Sequence, residues 1–160
     1  MIQSEEMKLS KPIKLLTEDF VQEAIIKHLN TDGWSTSLRS KTLKEHGVDI
    51  KVRNDKVSRY WLIECKGDAS PNAKFPKSHR EVNFNLALGQ IITRMQTTGT
   101  RGYKYRYKYG VGYPTSFRSI VVRRLPYDVC DKLNLYLFFV DENGIVEMLG
   151  WKELKKLQAN

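Results

Sequence analysis

Residues 47–67 read GVDIKVRNDKVSRYWLIECKG, and their pattern decides the fold. Val48, Ile50 and Val52 alternate with polar residues, as in a half-buried strand. RNDKVSR supplies a polar turn, and YWLIECK follows as a strand apolar on both faces, which belongs in the middle of a sheet. Pairing 48–53 antiparallel with 60–66 across that turn sets Arg53 opposite Tyr60 and, in the same register, Asp49 opposite Glu64. Directly opposed residues point to one face with β-carbons about 5 Å apart. Lys66, two residues beyond Glu64, shares that face. Two acids and a lysine therefore converge on strands otherwise built for a core.

Opposed carboxylates repel, and fold stability gives no reason to set them beside so apolar a strand. A divalent cation resolves the conflict, because Mg²⁺ takes a small number of carboxylate oxygens and completes its shell with waters and substrate phosphate oxygens. Lys66 then has work as well: its ammonium stabilises charge developing on a phosphorane, or orients and acidifies an attacking water. The competing reading is a salt bridge among the three on an exposed sheet face.

Outward from this hairpin, TEDFVQEAIIKHLNTDGW (17–34) reads as an amphipathic helix capped by Thr17, with Glu18 and Asp19 at its positive end and Gly33 after its last turn. Residues 1–16 form an N-terminal extension and 17–160 a single domain. WSTSLRS (34–40) reads as an edge strand. Past a loop rich in Pro, Asn and Ser, REVNFNLALGQIITRMQTT (80–98) reads as a second helix turning Val82, Leu86, Leu88, Ile91, Ile92 and Met95 toward the sheet. SFRSIVVRRL (116–125) is predicted as a strand, and PYDVCDKL as a short helix with Pro126 in its first turn. LYLFFVDENGIVEML is predicted as a hairpin turning at Asn143-Gly144, and WKELKKL as a closing helix. The predicted order, α-β-β-β-α-β-α-β-β-α, describes an α/β fold with a central mixed sheet flanked by helices.

The 160 residues suit one domain that buries a core without disulfides, and 41% hydrophobic with 28% charged residues excludes wholesale disorder. The longest apolar runs fall far short of the roughly 20 residues of a membrane span. The N-terminus lacks a secretory core, so a cytoplasmic location is expected. Cys65 and Cys130 have no CxxC spacing and no neighbouring His, and read as small buried hydrophobes. The balance of 27 Lys and Arg against 18 Asp and Glu, a net +9, favours polyanionic partners.

Much of that excess is local. GTRGYKYRYKYGVGYPTSFRS (99–119) carries five basic and no acidic residues. As a strand it puts Tyr103, Tyr105, Tyr107 and Tyr109 on one face and Lys104, Arg106 and Lys108 on the other. It reads as a ribbon or loop beside the active site, with these cations and Arg101 on a nucleic-acid backbone and rings such as Tyr105 and Tyr107 stacking on unpaired bases. The alternative packs the tyrosines on the sheet and leaves the cations in water. Gly99, Gly102, Gly110 and Gly112 suggest a segment that orders on binding DNA.

GVD, a turn and IECK resemble the D-x(n)-ExK signature of the PD-(D/E)XK, or restriction-endonuclease-like, nuclease superfamily. The resemblance covers residues 17–123 and implies that family's core and Mg²⁺-dependent hydrolysis of DNA phosphodiesters, with Mn²⁺ as a substitute. It implies Asp49, Glu64 and the backbone carbonyl of Cys65 as metal ligands and Lys66 at the attacking water. It further implies a glutamate in the first helix, best matched by Glu23 with Glu18 as the fallback, and a glutamine on the second, matched by Gln90. Arg94 stands where many members carry Tyr, so the full Q-x-x-x-Y form is absent, and Arg94 becomes a candidate phosphate contact. Val48 replaces the proline that names the superfamily. A homodimer is expected by analogy, since one site cuts one strand. A non-catalytic nucleic-acid-binding module on the same fold, an RNA-directed nuclease and a basic interaction protein whose hairpin charges are surface ion pairs remain as alternatives.

Overall fold

A computed structural model, describing residues 14–34, 48–54, 56, 59–95 and 107–159, forms the hairpin as β1 (Ile50–Asn54) and β2 (Arg59–Cys65). The strands pair antiparallel with Ile50 opposite Ile63 and Arg53 opposite Tyr60, the register that the alternation predicts. Ile50 and Val52 are buried and Lys51 and Arg53 exposed, whereas Trp61 through Cys65 are all buried. β2 is buried on both sides because helices cover both faces of the sheet there.

Among the described residues the sheet is five-stranded, mixed and open, in the order β1-β2-β3-β4-β5. β3 (Tyr107–Pro114) runs parallel to β2, β4 (Leu135–Val140) parallel to β3, and β5 (Val146–Leu149) antiparallel to β4. One face meets α1 (Glu18–Thr31): Val21, Ala24, Ile25 and Leu29 pack on Ile50, Val52, Trp61, Ile63, Cys65 and Phe138. The other face meets α2 (Pro76–Arg94), α3 (Arg118–Arg124) and α4 (Tyr127–Leu133), with α5 (Trp151–Gln158) closing the same core through Leu154. None of the helices described is long and apolar enough to cross a membrane.

Local chemistry sets the ends of these elements. Thr17 Oγ1 accepts a hydrogen bond from the Phe20 amide at 3.1 Å, capping α1, and Gly33 leaves the helix at φ +86°. The β4–β5 hairpin turns at Asn143-Gly144, with Gly144 at φ +79° and the Asp141 side chain accepting from the amides of Asn143 and Ile145 at 2.9 Å.

Several expectations are corrected. SFRSIVVRRL is not a strand: Thr115–Phe117 is a 3₁₀ turn leading into α3. Its buried residues, Phe117, Ile120, Val121 and Leu125, recur at i, i+3, i+4 and i+8, and this helical period outweighs the β-branched run. The strand after α2 instead lies earlier, in the Tyr- and Gly-rich segment. There Gly110 and Gly112 are buried because neighbours press on them: a β-carbon at Gly110 would stand 2.7 Å from the Phe138 ring, and one at Gly112 would strike Ile25 of α1. These two glycines admit close-packed neighbours; Gly99 and Gly102 lie outside the described residues. On α2, Phe84, Ala87 and Ile91 face the core, with Leu88 and Met95 partly buried beside them. Val82, Leu86 and Ile92 are 56, 48 and 51% exposed, so half of the expected apolar face looks outward.

Leu16, assigned to the extension, belongs to the body of the fold. It is buried, its amide donates to Asp68 Oδ2 at 2.8 Å, and its carbonyl accepts from the Asp68 amide at 2.7 Å. The edge strand expected at 34–40 falls, beyond Trp34, outside the described residues.

Candidate active site

The C-terminal end of β2 gathers the hairpin's charges. Asp49 lies one residue ahead of β1, and its Oδ2 accepts a hydrogen bond from the Cys65 amide at 2.8 Å. That bond ties its carboxylate across to β2, where Glu64 is 4% exposed and faces the Asp49 carboxyl. Two carboxyl groups facing each other at a buried strand end repel unless a proton or a cation lies between them. Burial and the neighbouring Asp49 charge push Glu64 up to about 8, while Lys66 and Arg94 pull the other way. Arg94 Nε stands 4.0 Å from Glu64 Oε1, within ion-pair range, yet desolvation and like charge outweigh both cations.

Lys66 follows β2, its amide donating to the Gly112 carbonyl at 2.9 Å, which prolongs the pairing with β3 and fixes where the lysine leaves the sheet. The chain then crosses the start of α1 at Gly67. A β-carbon there would lie 2.5 Å from the Glu18 amide and 2.9 Å from the Leu16 carbonyl, so only glycine permits the crossing without a shift. Asp68 locks the crossing by holding Leu16 with Oδ2 and accepting from the Ser116 hydroxyl with Oδ1 at 2.5 Å.

This crossing brings Glu18 to the cluster. Its carboxyl is raised by burial and then by the Asp49 charge, with Lys66 opposing. Glu23 is exposed five residues further on, about 140° around the helix from Glu18 at 3.6 residues per turn. Of the two first-helix glutamates weighed from the sequence, Glu18, the fallback, is the one on which the Asp49 charge acts. Asp68 and Ser116 were missed altogether: their pairing joins residues 48 positions apart, and neither stands in a motif.

Cys65 enters the site only through its backbone. Its side chain points to the opposite face, fully buried with α1, where burial drives the thiol pKa well up, so Sγ is no ligand. On α2, Arg94 is the residue set against Glu64. Gln90, one turn earlier, is exposed and lines an uncharged groove with Val82, Asn85, Leu86, Gly89 and Thr93.

The basic segment divides. Arg101, Lys104, Tyr105 and Arg106 lie outside the described residues. Tyr107 lies on the Glu64 face, stacked on Tyr60 at 5.2 Å and on Tyr109 at 6.3 Å between centroids. Lys108 points to the α1 face, its ammonium over Trp61 and Tyr136 at 5.3 and 5.4 Å, and burial, followed by Arg59, lowers its pKa. The alternation of rings and cations is realised here, but this cation is engaged with aromatic rings on the face away from Glu64.

Among the described residues, no group of three or more His, Cys, Asp or Glu side chains is gathered so as to hold a metal ion. Two hard carboxylates beside a lysine, with a backbone carbonyl next in sequence, are what the site offers. No family model, curated protein or solved structure matches the chain.

Proposed function

We propose that the chain is a divalent-cation-dependent nuclease with a restriction-endonuclease-like core, hydrolysing DNA phosphodiesters at Asp49, Glu64 and Lys66. The observation that carries this reading is the carboxyl pair: Asp49 and Glu64 held against each other at the end of a buried strand, with a lysine two residues on. Such a pair needs a proton or a cation between its oxygens. The donors are hard oxygens, the buried thiol is turned away, and two carboxylates with a carbonyl suit Mg²⁺, which keeps most of its coordination for water and phosphate. Asp49, Glu64 and the Cys65 carbonyl would hold the ion. When bound, it supplies Lewis-acid polarisation of a phosphoryl oxygen and a more acidic bound water.

The chain's own residues do the rest. The Lys66 ammonium stabilises the hydroxide that attacks phosphorus and the charge that grows on the phosphorane oxygens. The water oxygen bonds to phosphorus as the bond to the leaving alkoxide breaks, and the water's proton reaches the alkoxide by way of solvent. Glu18, raised by burial and Asp49, is placed to accept a hydrogen bond from a water in the site. Arg94 steadies Glu64 from the α2 side.

The test is cleavage of plasmid, linear and single-stranded DNA, and of RNA, in Mg²⁺, Mn²⁺ or EDTA. Cutting is expected only with the metals and is expected to fall about 10²–10³-fold or more in Asp49→Ala and Lys66→Ala. Cutting of RNA alone would reassign the substrate. No cutting of either nucleic acid, or variants as active as wild type, would overturn the nuclease reading.

A further inference from the structure

Resting on that reading, we infer that the outward face of β1 is a track for the backbone of the substrate strand, with Lys51 and Arg53 each meeting a phosphate. Lys51 stands directly opposite Leu62 and Arg53 opposite Tyr60, so both share the face of the sheet on which Glu64 lies. They are exposed, while Ile50 before them and Val52 between them are buried on the α1 side. α2 lies across β2 and β3 on this face, and Lys51 and Arg53 are exposed beside it.

Spacing carries the next step. Alternate residues of a strand are roughly 7 Å apart, so Lys51 and Arg53 follow the Asp49 position at roughly 7 and 14 Å. That interval is close to the separation of neighbouring phosphates along one nucleic-acid strand. A backbone whose scissile phosphate sits at Asp49 and Glu64 thus presents its next two phosphates to Lys51 and then Arg53. The Lys51 ammonium is held over the Tyr60 ring, 5.7 Å from its centroid, and Tyr60 is stacked on Tyr107, which keeps this cation on the track. Arg53 offers the forked donors that suit phosphate. The ligand class is a polyphosphodiester strand, read by charge and spacing without regard to base sequence.

The experiment measures binding of a fluorescent 20-nucleotide single strand and its duplex in EDTA across a salt series, with Mg²⁺-dependent cleavage followed in parallel. Lys51→Ala/Arg53→Ala is compared with Lys152→Ala/Lys156→Ala, an equal loss of charge on α5, which packs beside β5 at the other end of the sheet order. Circular dichroism checks that both variants fold; if the pair Lys51→Ala/Arg53→Ala unfolds the chain, Lys51→Gln/Arg53→Gln replaces it. About tenfold weaker binding and a salt slope shallower by about 1.4–1.8 are expected for the β1 variant, the signature of two lost phosphate contacts. An unchanged slope, or an equal loss in the α5 variant, overturns the track. If wild type cuts DNA while the β1 variant binds and cuts as well, the track falls and the nuclease stands. If wild type binds through β1 yet cuts nothing, the reverse holds. Wild type that neither binds nor cuts sinks both.

Discussion

Two strand glutamates, Glu64 and Glu147, each have an arginine within ion-pair distance, and they show opposite physics. Glu147 on β5 is exposed and receives two hydrogen bonds from Arg118, Nε to Oε1 at 2.7 Å and Nη2 to Oε2 at 3.2 Å. Its charge is satisfied by its partner and by water, and nothing beyond the fold is needed to explain it. Glu64 is buried, its arginine stands off at 4.0 Å, and burial with the charge of another acid, Asp49, raises its carboxyl. A salt bridge among the hairpin charges, the competing explanation of the sequence pattern, resembles the first glutamate and not the second. The contrast also separates stability from function: Glu147 ties α3 to β5, whereas Glu64 sits where folding alone would place an apolar residue.

The contrast breaks first in the pH dependence of stability without metal. The Glu64 carboxyl is raised from its ordinary 4.5 to about 8, so between these values the folded state binds more protons than the unfolded one. Stability contributed by the protonated pair is therefore full below about pH 4.5 and is lost as pH rises through 8. Glu64→Gln keeps a donor toward Asp49 and removes the titration. In EDTA at pH 8 it is expected to raise Tm by roughly 5 °C, and below pH 4.5 to change it little. Adding Mg²⁺ at pH 8 should raise the Tm of wild type and leave the variant nearly unmoved. Parallel Tm-against-pH curves for the two proteins would show that the acids do not share a proton.

A smaller effect tests how the chain positions these groups. Gly67 and Gly89 are adjacent glycines of the described chain in opposite surroundings: the first meets backbone within 3 Å, the second nothing within 4 Å. Gly67→Ala should cost on the order of 1–3 kcal/mol and shift the start of α1, carrying Glu18 away from Asp49 and Lys66. Gly89→Ala, on an exposed helical position, should stabilise by about 0.5–1 kcal/mol. Denaturant titration reads both, and equal signs would mean that the crossing at Gly67 is looser than its geometry implies.

The same distinction explains what the sequence disclosed. Ile50, Val52 and Arg53 carry a period-two signal that is local, so the hairpin register and the meeting of Asp49 with Glu64 were legible before any coordinates. Glu18 was only the fallback because counting turns back from Gly33 uses α1 alone. Its place is set by Gly67 and Asp68, some fifty residues away, whose packing leaves no periodic trace. β3 was misplaced for a related reason: Tyr109, Gly110 and Gly112 have the composition of a loop. Those glycines exist to admit Phe138 and Ile25, contacts that a single strand does not reveal. In Arg118–Arg124 the fault was the opposite one, since Ile120-Val121-Val122 has strand composition but helical spacing. Residue type misled where period was correct. The α2 face was misjudged because Val82, Leu86 and Ile92 are as apolar as Phe84, Ala87 and Ile91, and hydrophobicity alone does not say which of two stripes finds the sheet.

The smallest expected effect sharpens the comparison with which the two glutamates began. Double-mutant cycles measure coupling between side chains directly, provided that each single change removes the contact without making a new one. For Arg118 and Glu147, both partly exposed, alanine cycles should give a favourable coupling of about 0.2–1 kcal/mol that fades toward zero at about 1 M salt. For Asp49 and Glu64, cycles through Asn and Gln in EDTA well above pH 8, where Glu64 is ionised, should give coupling of the opposite sign, because removing either charge relieves the other. Salt should change that value far less, since ions screen a buried pair poorly. A favourable coupling between Asp49 and Glu64 well above pH 8 would mean that the pair keeps a proton there and that this proton stabilises the fold by itself. In that case the pair needs no cation, and the central argument for a metal at this end of β2 is lost.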